Sequence, residues 1–256
     1  MSETIAKIDS IYRYPVKGLS PEELPRVALT PGQTLPADRR YAIENGPSDF
    51  DPADPKYFPK TRFLMLMRNE RLATLRTRFD DASNVLTIHH NNAEAARGDM
   101  ETNAGRAALE DYFTKNFSSE LKGAPKILSA NGHSFSDVAA RVVSIINLAT
   151  LSAIEDAIGQ PVHPLRFRGN LYFSGLAAWQ EFDLPGKEIA IGDARLRVIE
   201  PIVRCAAVNV DPVTAERDLN IPHTLMRTFG HADCGVYAEV TAGGDIATGD
   251  AVSVVS

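Results

Sequence analysis

The chain has 256 residues, with 27 Lys+Arg against 33 Asp+Glu, a formal net charge of −6 and two cysteines, Cys205 and Cys234. At roughly 100–200 residues per domain, this is one large domain or two modest ones, long enough for a self-sufficient core, and 44% hydrophobic with 23% charged residues excludes wholesale disorder. The acidic balance argues against a nucleic-acid surface, and two cysteines supply neither a disulfide scaffold nor a full ligand set for an iron–sulfur cluster.

In chain order, Ile5 to Tyr14 alternates apolar and polar residues as a strand does, until Pro15 and Gly18 interrupt it. Thr30-Pro31-Gly32 is a turn, Tyr41-Ala42-Ile43 a further strand, and Asn45-Gly46-Pro47 its stop. The Pro- and Asp-rich stretch 48–59 is read as an exposed loop. Leu72–Phe79 and Val85–His90 flank Asp80–Asn84 as a hairpin. Two helices are expected. Gly105–Phe117 puts Ala108, Leu109, Tyr112, Phe113 and Phe117 on one face, and the helix up to Ile158 has Asn147 as N-cap and Gly159 as stop. Short glycine-punctuated strands are expected at 189–191, 195–200, 206–210, 236–240 and 251–255. Without a repeated βαβ pattern, the pattern predicts a β-rich α+β fold, barrel-like with a few packed helices, and a soft division at 118–126. The N-terminus Met1–Lys7 has no signal-peptide core, and Val138–Ile158 is broken by Arg141, Asn147, Glu155 and Asp156, so the expectation is a cytoplasmic protein without a membrane span.

The chain has no G-x-G-x-x-G after a strand, no phosphate-binding P-loop, no H-E-x-x-H, no G-x-S-x-G and no C-x-x-C, and nothing in it calls for pyridoxal phosphate. What remains is a series of basic residues beside turns: Lys17 and Gly18 after Tyr14-Pro15-Val16, Asp38-Arg39-Arg40, Arg166-Phe167-Arg168-Gly169-Asn170, and Arg204-Cys205. Guanidinium forks suit a phosphate or carboxylate, so these residues can converge on one anion; each taken singly also reads as solvated surface charge. Cys234 reads as a small core residue. Cys205, Cys234, His223 and His231 form a nominal Cys2His2 set, but at a spacing matching no common zinc module.

The ordered series Tyr14-Pro15-Val16-Lys17-Gly18, Asp38-Arg39, Phe167-Arg168-Gly169-Asn170, Ile191-Gly192-Asp193, Arg204-Cys205, Val210-Asp211-Pro212 and Cys234-Gly235-Val236-Tyr237 resembles the MOSC proteins, named for the C-terminal domain of molybdenum cofactor sulfurase. The closest sub-type has an N-terminal MOSC-associated β-barrel domain, as in the mitochondrial amidoxime-reducing component. The resemblance implies an N-terminal β-barrel-like domain over 1–120 and a MOSC domain over 121–256. It implies a molybdenum–molybdopterin cofactor with Cys205 as metal ligand and catalytic residue, and Lys17, Gly18, Arg39, Asn147, Arg168, Asn170 and Arg204 around the pterin and its phosphate. Arg204 is expected to lower the thiol pKa of Cys205 if both side chains point the same way. Two departures stand out: Gly18 occurs where the family often has Ser, and Gly169 where it has Pro.

The implied activity is an oxidoreductase that reduces N-hydroxylated or other N-oxygenated small molecules. Its electrons would come from a separate donor of the ferredoxin or flavin-reductase type, since the chain has no cysteines for a relay of its own. The alternatives are a sulfur carrier with a persulfide at Cys205, or a cofactor-binding module without reductase activity. The segments 48–59 and 211–230 are expected to form the walls of the substrate pocket.

Overall fold

The computed structural model describes residues 4–255; Met1–Glu3, the start of the polar N-terminus read above, lie outside the described residues. The strands and helices are β1 (Thr4–Arg13), β2 (Glu22–Glu23), β3 (Arg26–Leu29), β4 (Ala42–Asn45), β5 (Arg76–Asp80), β6 (Val85–His90), β7 (Ala93–Asp99), α1 (Asn103–Asn116), β8 (Pro125–Leu128), β9 (Val143–Asn147), α2 (Leu148–Ile158), β10 (Leu171–Ser174), β11 (Glu188–Ile191), β12 (Ala194–Val203), α3 (Ile221–Phe229), β13 (Asp233–Ala242), β14 (Gly244–Ala247) and β15 (Ala251–Val254).

Seven strands close a barrel in the order β1-β10-β9-β13-β12-β11-β15, because β1 pairs with both β10 and β15. Closure removes the unpaired edges of an open sheet. All pairings are antiparallel except β9–β10, which is parallel and bridged by α2. Every second side chain turns inward. Ile8, Ile145, Phe173, Ile189, Leu196, Val236 and Val252 are thus buried in one core. A bulge between Ile8 and Ser10 shifts the register of β1, so Ile11 also faces inward.

A second core forms where α1 packs on the meander β5–β6–β7, around Phe79, Ile88, Leu109, Phe113 and Phe117. A third lies under α2 and α3 and contains Cys234. The strand pairing crosses the division expected near residue 120. β1 closes the barrel formed otherwise by strands beyond 142, β3 pairs with β14, and β4 pairs with β8. No helix among the described residues is long and apolar enough to cross a membrane.

The local expectations fare unevenly. Asn147 caps α2, its Oδ1 accepting from the Ala149 amide at 3.1 Å, and Gly159 ends the helix at φ 74°. Helix α1 starts earlier than expected, with Thr102 as N-cap, and Ala108 is exposed rather than on the buried stripe. The strand expected at 206–210 is a 3-10 turn (Ala206–Asn209), since the β12–β13 ladder ends at Val203 and the next amides bond three residues back. The segment 211–230 is not all loop: it contains α3, with Pro222 in its first turn, Ile221 and Leu225 buried, and Gly230 at φ 80° as its stop. Strand β7 extends the expected hairpin through Asn91 and Asn92, both at positive φ.

Candidate cofactor site

A cleft of about 320 Å³ opens between the barrel and the N-terminal half. Seven of the eight site residues that the resemblance implies line it, Lys17, Gly18, Arg39, Arg168, Asn170, Arg204 and Cys205, and so does Arg166. Asn147 does not. It is fully buried, and its amide nitrogen donates to the Ala177 carbonyl at 2.7 Å and to Glu181 Oε2 at 2.8 Å. Asn147 thus caps α2 with its Oδ1 and ties the helix start to Ala177 and Glu181 with its nitrogen, away from the cleft. The segments 48–59 and 211–230 contribute nothing to the lining; the walls come instead from 65–67, 136–138 and 200–203. Loop composition does not reveal which loops face a cleft; of these three segments only 200–203 is the end of a barrel strand, β12.

Local backbone geometry explains the two glycines. Gly18 has φ +84°, and a Cβ there would lie 2.9 Å from the Leu64 carbonyl oxygen, so a serine is strained at this position. At Gly169 a Cβ would meet Ile146 Cγ1 at 2.3 Å, and the Gly169 amide donates to the Tyr172 hydroxyl at 3.1 Å. A proline would lose that donor and collide with Ile146.

The basic residues form a stack around Tyr14. The Arg39 guanidinium lies 4.7 Å from the Tyr14 ring centroid and that of Arg168 4.2 Å. Burial, only partly offset by these cations, pushes the Tyr14 phenol up to about 12. Arg39 pairs with Asp38, whose Oδ1 accepts from the Tyr14 amide at 2.8 Å, and donates to the Arg168 carbonyl at 3.0 Å. Burial works against the Arg39 charge, but Asp38, Tyr14 and Asp137 together outweigh it and the pKa is raised. Arg168 has no such carboxylate. Nη1 donates to the Leu19 carbonyl at 2.9 Å, Nη2 is buried without a partner, and burial lowers its pKa.

Asn170 holds the frame rather than reaching outward. Its Oδ1 accepts from the Ser144 amide and hydroxyl, and its nitrogen donates to the Tyr12 carbonyl at 3.1 Å, joining β1, β9 and β10. Arg166, also in the anion-binding series, is occupied by Asp211 at 2.8 Å and Asp218 at 2.7 Å.

Cys205 stands just past the end of β12 in an extended conformation and is partly exposed. Its neighbour Arg204 turns elsewhere, donating to the Cys234 carbonyl and, at 2.8 Å, to the Phe167 carbonyl. The expectation that Arg204 is the cation beside the thiol is thus corrected. That cation is Lys60, whose Nζ lies 3.2 Å from Cys205 Sγ. Sequence reading missed both Lys60 and Asp137. Asp137 takes the Lys17 ammonium on one oxygen and Lys60, at 3.2 Å, on the other. Burial raises its pKa, but the two lysines outweigh that and hold the carboxyl below the ordinary range. Cys234 is fully buried, and burial pushes its thiol up to about 12. The Cys2His2 set does not assemble: among the described residues no group of three or more His, Cys, Asp or Glu can hold a metal ion.

The donor set suits an anionic cofactor carrying a soft metal. Arg168 and Arg204 make their hydrogen bonds to carbonyl oxygens rather than to carboxylates, so the wall of the cleft carries positive charge that no carboxylate beside them matches. The cleft is of ligand-pocket size, and its accessible thiol is a ligand type preferred by soft metals. Fold and site together define a β-barrel protein with a single accessible thiol in a basic cleft.

Comparison with known families agrees with this class. The MOSC N-terminal beta barrel domain matches residues 5–129 and the MOSC domain residues 129–253, so the chain belongs to the two-part MOSC proteins. Among solved structures, the YuaD protein from Bacillus subtilis is 13% identical at a TM-score of 0.47, with 99% of this chain and 98% of that one covered. YiiM from Geobacillus stearothermophilus (19% identical, TM-score 0.36) and YiiM from Escherichia coli (21%, 0.34) each match over 44% of this chain and 54% of theirs. No curated protein matches the chain.

Proposed function

We propose that this protein binds a molybdenum–molybdopterin cofactor through the Cys205 thiolate and reduces N-hydroxylated or otherwise N-oxygenated small molecules. The observation that carries the reading is the only accessible thiol among the described residues, Cys205, in a cleft also lined by Arg168 and Arg204, whose guanidiniums have carbonyl rather than carboxylate partners. The overall reaction is R₂N–OH + 2 e⁻ + 2 H⁺ → R₂N–H + H₂O. When bound, the cofactor supplies a two-electron redox centre and an oxygen acceptor. The protein's part is binding and orientation. Cys205 ligates the metal, Arg168 neutralises the anionic end of the cofactor, and Lys17 and Arg39, whose charges Asp137 and Asp38 already match, line the same end. Arg204 ties the Phe167 and Cys234 carbonyls together, Asn170 locks the strands that frame the cleft, and Gly18 would let the backbone approach the cofactor closely. Electrons come from a separate donor of the ferredoxin or flavin-reductase type, because two cysteines, one of them fully buried, do not supply the ligands of an iron–sulfur relay.

The test is reduction of an aromatic amidoxime to its amidine by protein purified from a cofactor-producing host, with a chemically reduced viologen as donor. Turnover that is lost in Cys205→Ser supports the reading. Absence of turnover in the wild type, together with a labile extra sulfur on Cys205 by mass spectrometry and no pterin, replaces it with the sulfur-carrier role.

A further inference from the structure

Two aromatic rings bring an unassigned lysine to the thiol. Phe63 and Phe135 are 2% and 3% exposed and meet edge to face, with centroids 5.4 Å apart. The short turn Lys60–Arg62 delivers Phe63 into this contact, and Asp137 follows Phe135 by two residues. Burying the rings against each other therefore sets Lys60 beside Asp137. Tyr57 secures the same segment by donating its hydroxyl to the Asp137 carbonyl at 3.0 Å. The result is a fixed string of alternating charge: Lys17, Asp137, Lys60 and the Cys205 sulfur. Lys17 anchors its far end by donating to the Phe135 carbonyl at 2.8 Å. Lys60 Nζ is 3.2 Å from Asp137 Oδ2 and 3.2 Å from Sγ, so two of its three donors have fixed directions.

We propose that Lys60 is a positioning residue that tunes the metal through the Cys205 sulfur; the inference rests on the reading of Cys205 as metal ligand. A hydrogen-bonding cation at a ligand sulfur withdraws electron density from it, favours the electron-rich reduced state and raises the reduction potential. Arg204 cannot replace it, since its donors are engaged with the Phe167 and Cys234 carbonyls. Asp137 orients Lys60 from the side opposite the thiol, and Lys17 in turn orients Asp137.

The experiment compares cofactor-loaded wild type, Lys60→Met and Lys60→Arg by elemental molybdenum analysis and by a redox titration followed through the Mo(V) electron paramagnetic resonance signal. Lys60→Met is expected to keep the metal, with a more negative potential and an altered Mo(V) spectrum, and Lys60→Arg to restore both toward wild type. Full metal with unchanged potential and spectrum in Lys60→Met overturns the role of Lys60. If Lys60→Met loses the metal, recovery of metal and potential in Lys60→Arg supports the role, and loss in Lys60→Arg as well overturns it. A wild type that carries no molybdenum at all overturns instead the reading of Cys205 on which the inference stands.

Discussion

Arg168 holds its guanidinium 4.2 Å over the Tyr14 ring while its Nη2 stays buried and unpartnered. A buried donor left unsatisfied costs about 1–3 kcal/mol, so this residue is expected to cost stability in the cofactor-free protein and to contribute it once an anion is bound. Arg168→Met is expected to leave the cofactor-free protein as stable as wild type or up to about 1 kcal/mol more stable, a rise of about 2–4 °C in Tm for a chain of this size. The same variant loses pterin retention by roughly 10–100-fold, the worth of a charge-assisted hydrogen bond. Calorimetry of the empty protein and pterin analysis of the loaded one check the two signs; a variant that is destabilised and still retains pterin contradicts this account of Arg168.

Restoring the residue common in the family at Gly18 is expected to do harm. Gly18→Ser places a Cβ 2.9 Å from the Leu64 carbonyl at φ +84°, which costs about 1–3 kcal/mol. Gly169→Pro meets Ile146 and removes the amide donated to Tyr172, with a cost of similar size. Urea unfolding of both variants reads the loss; unchanged midpoints argue that the backbone there adopts another conformation.

Acid should weaken the Lys17–Asp137–Lys60 string. The Asp137 carboxyl is held below its ordinary 3.8, so its contribution to stability is complete above about pH 4 and is lost as the pH falls further, through the folded-state value. Asp137→Asn leaves Lys17 buried with one carbonyl partner and costs about 1–3 kcal/mol at neutral pH, toward the lower end because the Asp137 side chain is 46% exposed. The stability gap between wild type and Asp137→Asn is therefore widest above pH 4 and narrows below it. A gap constant from pH 7 to pH 2 shows that the carboxylate charge is not what holds the string.

The supply of electrons gives a further prediction. Purified, cofactor-loaded protein with NADH as sole reductant is expected to show no turnover, and a reduced viologen or a ferredoxin-type donor to start it. Sustained oxidation of NADH by the protein alone, followed at 340 nm (the NADH absorbance), contradicts the need for a separate donor.

How much of this could be read beforehand depended on the range of the interactions. The cap at Asn147 and stop at Gly159 are local chemistry, and both were legible. The basic residues and Cys205 were legible as an ordered series, and the fold brings Lys17, Arg39, Arg166, Arg168, Arg204 and Cys205 into one cleft. Lys60 and Asp137 carried no signal, since their meaning arises from contacts 77 and 145 residues apart along the chain. Asn147 misled in the opposite direction, because a good N-cap is complete without any ligand. Helix α3 was hidden by length: its nine residues offer only Ile221, Leu225 and Phe229 at four-residue spacing. The segment Ala206–Val210 has strand composition, but β13 supplies no partner beyond Val203, so the chain turns instead and leaves Cys205 at the cleft.

The most direct measurement is the molybdenum and pterin content of wild type and Cys205→Ser purified side by side from a cofactor-producing host. Cys205 as the one protein ligand predicts stoichiometric molybdenum and pterin in the wild type, and molybdenum lost from Cys205→Ser in a protein that remains folded. Equal molybdenum in both proteins, or none in the wild type, contradicts it.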